Sequence, residues 1–384
     1  MKSACVMIYV QHLLGVGHLQ RSALLANALA DKGFRVELVS GGMPHPLQLS
    51  NTVHLTQLPA ARSPDSHFNR LIDDRDQVID EPWKRNRERL LLDAFYRVAP
   101  QILITETYPF GRRMMRFELL PLLKAARQAR NCLIVSSIRD ILQPKSNPER
   151  NQEICDLIQK YYDHVLVHGD PKVAQLSDSF EMTDVIHEKL TYSGYISKPI
   201  ADARSSAGKN EVLVSAGGSD TGLDILHVAM AARPLSRYAE NNWRILVSPR
   251  ISETEFNQLN NQAENGVIVE RNRSDFTQRL QNAALSISQA GYNTITDLLS
   301  SPTPAVIVPF DESGEVEQSR RADLLQKKNR VICLPKSSLS AENLAQAINQ
   351  ASRLEYNLDT DLNGAANSAI ILNKWLSMTS TEHA

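Results

Sequence analysis

The stretch Glu211-Val212-Leu213-Val214-Ser215-Ala216-Gly217-Gly218-Ser219-Asp220 is a short apolar run feeding a paired-glycine turn, the junction of a buried strand with a following helix. The same grammar recurs on both sides of it. Upstream, a run over 4–10 leads into Gly15-Val16-Gly17-His18 and a helix carrying Leu24, Leu25 and Leu29. Downstream, a run over 284–288 leads into Ser288-Gln289-Ala290-Gly291-Tyr292-Asn293-Thr294-Ile295-Thr296-Asp297 and a helix with Leu298 and Leu299. Further strand candidates at 35–40, 101–106, 132–137 and 164–168, then at 211–215, 243–248, 266–269, 305–308 and 330–334, alternate with amphipathic stretches. The expected fold class is therefore α/β, with two Rossmann-like doubly wound halves facing a cleft.

A chain of 384 residues is longer than one hydrophobic core usually organises. Residues 1–197 and 210–362 are the expected domains, joined by a linker over 198–209 that is rich in small and polar residues. A helix near 363–377 either ends the second domain or crosses back to the first. The charged segment 54–93, dense in Arg and Asp and poor in strand signals, is expected to be helical or mobile structure over the cleft.

With 42 basic and 43 acidic residues the net charge is −1, which gives no global pull toward nucleic acid. Cys5, Cys132, Cys155 and Cys333 lack the paired spacing of a disulfide framework or a zinc site, so a reducing cytoplasm is expected. The apolar start is read as a first strand rather than a secretion signal, because Gln11 and His12 end it without a cleavage pattern. No run approaches the ~20 apolar residues of a spanning helix, so any membrane contact is expected to be peripheral, at the inner face.

Three loops are candidates for chemistry. In the first, Gly15 and Gly17 allow a tight turn, and His18 lies at the positive end of a helix, which favours the neutral imidazole that a general base requires. The plain alternative is a helix-capping histidine. In the second, Gly217 and Gly218 let the backbone approach a diphosphate and Ser219 offers a hydroxyl, whereas Asp220 suits a helix cap. In the third, Asn293 and Thr294 can bond phosphate, and Asp297, one helical turn on, can accept from ribose hydroxyls. The alternative there is an N-capped amphipathic helix with a solvated Asp. Further on, Gln318 can reach a sugar hydroxyl, while Glu315 and Glu317 suit a helix start.

Together these segments resemble the GT-B glycosyltransferases, specifically relatives of the peptidoglycan N-acetylglucosaminyltransferase, and among them a branch of predicted bacterial glycosyltransferases. The resemblance spans most of the chain and is strongest from Ser288 to Gln318. It implies that Gly217, Gly218, Ser219, Asn293 and Thr294 face the donor diphosphate, that Gln318 faces the donor sugar, and that Asp297 holds the ribose where the family typically has Glu. Arg271 or Asn272 falls where the family contacts the base. Gly-x-Gly-His and Val-Ser-x-Gly-Gly-Ser/Thr-Asp are also shared with the UDP-sugar hydrolase of the pseudaminic acid pathway, in which the loop histidine activates water.

The first half bears on that choice. Glu106-Thr107-Tyr108-Pro109-Phe110-Gly111-Arg112-Arg113 and Ser137-Ile138-Arg139-Asp140 follow strand ends, so Glu106, Arg112, Arg113, Arg139 and Asp140, with Gly17, are candidates to grip an acceptor that is acidic or phosphorylated. Ion pairs among them are the structural alternative. The expectation is an inverting transfer of a sugar from a nucleotide-sugar, UDP-linked, to an unidentified acceptor in cell-envelope or exopolysaccharide synthesis, with His18 or Glu106 taking the acceptor proton. No cofactor and no obligate protein partner is expected, and no metal either, since no Asp-x-Asp motif or His-carboxylate cluster appears where a catalytic metal would be expected. Hydrolysis or epimerisation of the nucleotide-sugar, and non-catalytic binding, are the rival functions.

Overall fold

The structure, a computed structural model, describes residues 3–64, 70–129, 131–143, 147–198, 206–217, 222–311, 316–355 and 359–382. It divides into two compact units, Met1–Ile196 with Asn363–Ala384, and Ser197–Leu362.

The first unit is built on seven parallel strands, β1 (Cys5–Val10), β2 (Arg35–Ser40), β3 (Val53–Gln57), β4 (Ile102–Glu106), β5 (Leu133–Arg139), β6 (His164–His168) and β7 (Leu190–Tyr192). Their order is β3-β2-β1-β4-β5-β6-β7, so the winding reverses between β1 and β4. Period-two alternation sends Val6, Ile8, Ile102 and Ile104 to one face and Met7, Tyr9 and Leu103 to the other. Helix α1 (Gly17–Asp31) covers the first face, while α2 (Glu81–Val98), α3 (Arg116–Gln128) and α4 (Pro148–Tyr161) cover the second.

Local chemistry starts these helices. Asp80 accepts from the Trp83 N–H at 2.8 Å ahead of Pro82 in α2, and Asn147 accepts from Glu149 N–H at 2.9 Å ahead of Pro148 in α4. Segment 54–93 differs from its expectation at its start, which is a strand, and is helical as expected at its end. It begins in edge strand β3 and ends in α2, whose Arg87 is fully buried. Arg87 donates to Glu118 at 2.8 and 2.9 Å and to the carbonyls of Gly41 and Pro59 at 2.9 and 2.7 Å. A buried ion pair persists only when its remaining donors are satisfied, and here they fasten α2 to α3 and to the loop after β2.

The second unit carries six parallel strands, β8 (Val212–Ser215), β9 (Trp243–Val247), β10 (Val267–Arg271), β11 (Leu285–Ser288), β12 (Ala305–Ile307) and β13 (Ile332–Cys333). Their order is β10-β9-β8-β11-β12-β13, with the reversal between β8 and β11. Its helices are α5 (Leu223–Ala232), α6 (Glu253–Asn261), α7 (Phe276–Leu280), α8 (Tyr292–Leu299), α9 (Glu317–Lys327) and α10 (Ala341–Ala351). Trp243, Ile245, Val212 and Val214 form its core with Ile225, Leu226, Leu344 and Ile348.

The last helix, α11 (Gly364–Glu382), belongs to the first unit. Ala369 and Leu372 are buried among Leu19, Ala26 and Leu29 of α1, and Trp375 stacks on His164 with ring centroids 3.8 Å apart. Among the described residues no helix is long and apolar enough to cross a membrane.

Candidate active site

In an open parallel sheet, ligands bind beyond the carboxyl ends of the strands where the winding reverses. At that place in the first unit, the loop after β1 brings His18 beside the end of β4. His18 Nδ1 lies 3.0 Å from Glu106 Oε1 and 3.2 Å from Thr107 Oγ1, and the ring is 14% exposed. Arg139, ending β5, donates from Nη2 to His18 Nε2 at 3.2 Å. A guanidinium has no acceptor, so Nε2 carries the lone pair and Nδ1 the proton, which goes to Glu106. Burial, followed by the charges of Arg112 and Arg139, holds the imidazole well below its usual pKa, against the Glu106 hydrogen bond that raises it. His18 is thus neutral, with its one lone pair on Nε2 facing Arg139, a protonation state that can take up a proton at neutral pH.

Glu106 is buried, 2% exposed, and receives Arg21, Thr107 at 3.1 Å and Ser137 at 2.8 Å besides His18. Burial alone would raise its pKa, but the Arg21 charge and the His18 hydrogen bond outweigh it and keep the carboxylate ionised far below its normal range. Arg112, in a left-handed backbone conformation, donates from Nε to the Gln11 carbonyl at 2.7 Å, and burial followed by repulsion from Arg139 brings its pKa down to about 10. The other sequence candidates stand apart. Arg113 pairs with Glu153 at 3.4 Å, and Asp140 is buried and accepts from the Tyr195 hydroxyl at 2.9 Å. Gly17 is the first residue of α1, whose start has no side-chain cap.

At the reversal point of the second unit, the loops after β8 and β11 lie next to each other. Gly217 has φ +78° and Gly291 is extended, and a Cβ at either would meet no atom within 4 Å beyond its chain neighbours, so there is open space at both glycines. Gly218, Ser219, Asp220 and Glu315 lie outside the described residues. Asn293 and Thr294 are half-buried on the first turn of α8, which starts without a side-chain cap. Gln318 Oε1 accepts from the N–H groups of Ala290 at 3.0 Å and Phe310 at 3.2 Å, which ties the loops after β11 and β12 together. Asn272 donates to the Gly217 carbonyl at 3.0 Å, adding the loop after β10. Arg271 is held by the carbonyls of Ser248 and Ile251 at 3.0 and 2.8 Å, by Glu253, and over the Phe256 ring at 4.3 Å. Asp297 is 9% exposed, accepts from Thr277 at 3.4 Å, and is pushed up to about 6 by burial, against the Lys198 charge.

Arg21, Ser137 and His168 join the first constellation without having been singled out from the sequence. The one signal was that Thr105-Glu106, Ser136-Ser137 and His168 are polar residues ending otherwise apolar parallel strands. Which of them meet depends on the register of β4, β5 and β6.

Residues 210–367 match the glycosyltransferase family 28 C-terminal domain. Two UDP-N-acetylglucosamine–N-acetylmuramyl-(pentapeptide) pyrophosphoryl-undecaprenol N-acetylglucosamine transferases are similar over short segments. The one from Trichormus variabilis is 33% identical over 69 residues, 18% of this chain and 19% of that protein. The one from Rickettsia massiliae is 38% identical over 68 residues, 18% of each. The chain thus spans about a fifth of the length of the curated relatives it matches. The fold extends further. MurG of Acinetobacter baumannii superposes with a TM-score of 0.62 at 13% identity, covering 97% of this chain and 99% of that one. The kitacinnamycin glycosyltransferase superposes at 0.64 and 12% identity, covering 98% and 100%. Residues 210–367 thus carry a family 28 C-terminal domain, and the chain as a whole has the GT-B fold of these glycosyltransferases.

Proposed function

We propose that this protein is an inverting glycosyltransferase that moves a sugar from a UDP-linked donor to an acceptor hydroxyl without a metal ion. The observation that carries the reading is the open space at Gly217 and at Gly291, which follow the neighbouring strands β8 and β11 at the reversal point of a sheet within the family 28 domain. There the N-terminal N–H groups of α8, with Asn293 and Thr294, stabilise the diphosphate as it gains charge. Asp297 accepts from the ribose, and the amide nitrogen of Gln318, whose oxygen is already used, donates to the donor sugar.

In the first unit His18 is the base. The acceptor oxygen forms its bond to the anomeric carbon while the bond from that carbon to the diphosphate oxygen breaks. The hydroxyl proton goes to His18 Nε2, and the electron pair of the broken bond leaves with UDP. Glu106 orients the ring and stabilises the imidazolium that results, and Arg139 must share or yield Nε2 as the hydroxyl arrives. Arg112 and Arg139 favour an acceptor that bears negative charge near that hydroxyl. We place this activity at the inner face of the membrane, in envelope or exopolysaccharide synthesis.

Incubating the full-length protein with UDP-sugars, with and without a panel of acidic acceptors, tests the proposal. UDP release that depends on acceptor, gives an inverted product and falls by about two to four orders of magnitude in His18→Ala supports it. Rapid release of free sugar without acceptor would instead make the protein a hydrolase, and full transfer by His18→Ala would remove the base.

A further inference from the structure

The polar chain that orients His18 does not stop at Glu106. An ionised carboxylate can only accept, so the 2.8 Å contact between Ser137 Oγ and Glu106 Oε2 commits the single hydroxyl proton of Ser137 to Glu106. Ser137 must then accept at its 2.9 Å contact with His168 Nε2, which places the His168 proton on Nε2. His168 Nδ1, left with a lone pair, accepts from Ser193 Oγ at 2.8 Å. Ser137, His168 and Ser193 are all buried, at 0, 0 and 1% exposure. Every proton from Ser193 through His168 and Ser137 therefore points one way, toward Glu106, and on the opposite side the His18 Nδ1 proton points to it as well.

The two carboxylate oxygens are not equivalent. Oε1 takes His18, Arg21 and Thr107, whereas Oε2 takes Ser137. Without the Ser137 donor on Oε2 the carboxylate plane is held through Oε1 alone, and it can tilt so that its lone pairs depart from the His18 Nδ1–H axis. Burying Ser137 in β5, His168 at the end of β6 and Ser193 after β7 costs desolvation that apolar residues would not, and the cost is met only where each polar group finds its partner. A network matched along its whole length therefore specifies one arrangement.

We propose that Ser137 and His168 are positioning residues for catalysis: they fix the plane of the Glu106 carboxylate and so hold His18 as its Nδ1–H tautomer with the reactive lone pair on Nε2. The proposal rests on the reading of His18 as the base, and its test does not need the sugar reaction. In the full-length protein labelled with 15N-histidine, long-range proton–nitrogen spectra at pH 7 report which ring nitrogen carries the proton. His18 is expected as Nδ1–H and His168 as Nε2–H, both neutral. Ser137→Ala and His168→Leu should shift His18 toward a tautomer mixture and lower kcat about tenfold or more with little change in KM. Ser137→Thr and His168→Gln, which restore the hydroxyl and an N–H donor, should recover both readouts.

A wild-type His168 protonated on Nδ1, or a His18 signal untouched by Ser137→Ala and His168→Leu, would overturn the proposal. If neither truncated variant folds, the two wild-type tautomers remain decisive, since the chain requires both. Absence of sugar transfer with the tautomers as expected would sink the catalytic reading alone.

Discussion

The Arg139 guanidinium donates from Nη2 to Nε2 of His18 across 3.2 Å, so the lone pair available for catalysis is already engaged by a cation. This contact polarises the ring. After burial and the Arg112 charge, Arg139 is the next cause that lowers the His18 pKa. Arg139→Gln should therefore raise it, and the acid limb of the kcat/KM profile should move to higher pH with it. A His18 titration by NMR that is the same in Arg139→Gln and wild type would contradict this assignment.

His168 predicts a pH dependence of stability. Burial, followed by the Arg21 charge, lowers its pKa to about 3, whereas in the unfolded chain it binds a proton below about 6.5. Stability present above 6.5 is therefore lost as the pH falls from 6.5 toward 3, because only the unfolded state takes up the proton. By pH 5 the loss from this one residue is about 2 kcal/mol. Urea unfolding at pH 7.5 and 5 should show wild type losing more than His168→Gln by about that amount. Equal losses would mean that His168 is charged in the folded protein.

Asp297 has the opposite sign. Burial raises its pKa to about 6, so its protonated form is favoured in the folded state, and the benefit present below 3.8 disappears as the pH rises through 6. At pH 8 the ionised, buried carboxylate costs on the order of 3 kcal/mol relative to the unfolded chain. Asp297→Asn keeps an acceptor for Thr277 and should stabilise the unliganded protein at pH 8 but not at pH 4, while weakening UDP binding. Stabilisation with unchanged UDP affinity would remove Asp297 from the ribose site.

Gln318 is predicted to have two separable parts. Gln318→Ala leaves the Ala290 and Phe310 N–H groups without their acceptor and should cost about 1–3 kcal/mol for each that stays buried. Gln318→Glu keeps an accepting oxygen and should retain most of that stability, yet lose the amide donor and with it affinity for the donor sugar. Thermal unfolding and UDP-sugar titration of the two variants distinguish the parts.

The parallel strands were legible because burial on both faces makes them continuous apolar runs, as in Ile102-Leu103-Ile104 and Val212-Leu213-Val214. Edge strands are not written that way. Val53–Gln57 pairs on one side only and exposes His54, Leu55 and Gln57, and Leu190–Tyr192 is half-buried throughout, so neither stood out from its charged or polar surroundings. The glycine-rich loops announced His18, Gly217 and Gly291, because a turn that needs glycine is a local property. Partners across the sheet are not local. Arg21 reaches Glu106 from α1, and Ser137 meets both Glu106 and His168 through the pairing of β4, β5 and β6. Arg271 was legible as a charged residue at a strand end, but its bonds to Ser248, Ile251 and Glu253 follow from how the chain turns after β9.

The central claim is that the loops after β8 and β11 hold a nucleoside diphosphate, and binding of UDP and UDP-sugars to the full-length protein tests it most directly. Saturating UDP, at about a hundred times its dissociation constant, should stabilise the protein by about 2.7 kcal/mol and raise its melting temperature. Asn293→Ala combined with Thr294→Val should weaken that binding tenfold or more. If no uridine, guanosine, thymidine or cytidine diphosphate ligand shifts the melting temperature of the wild-type protein, the account is contradicted.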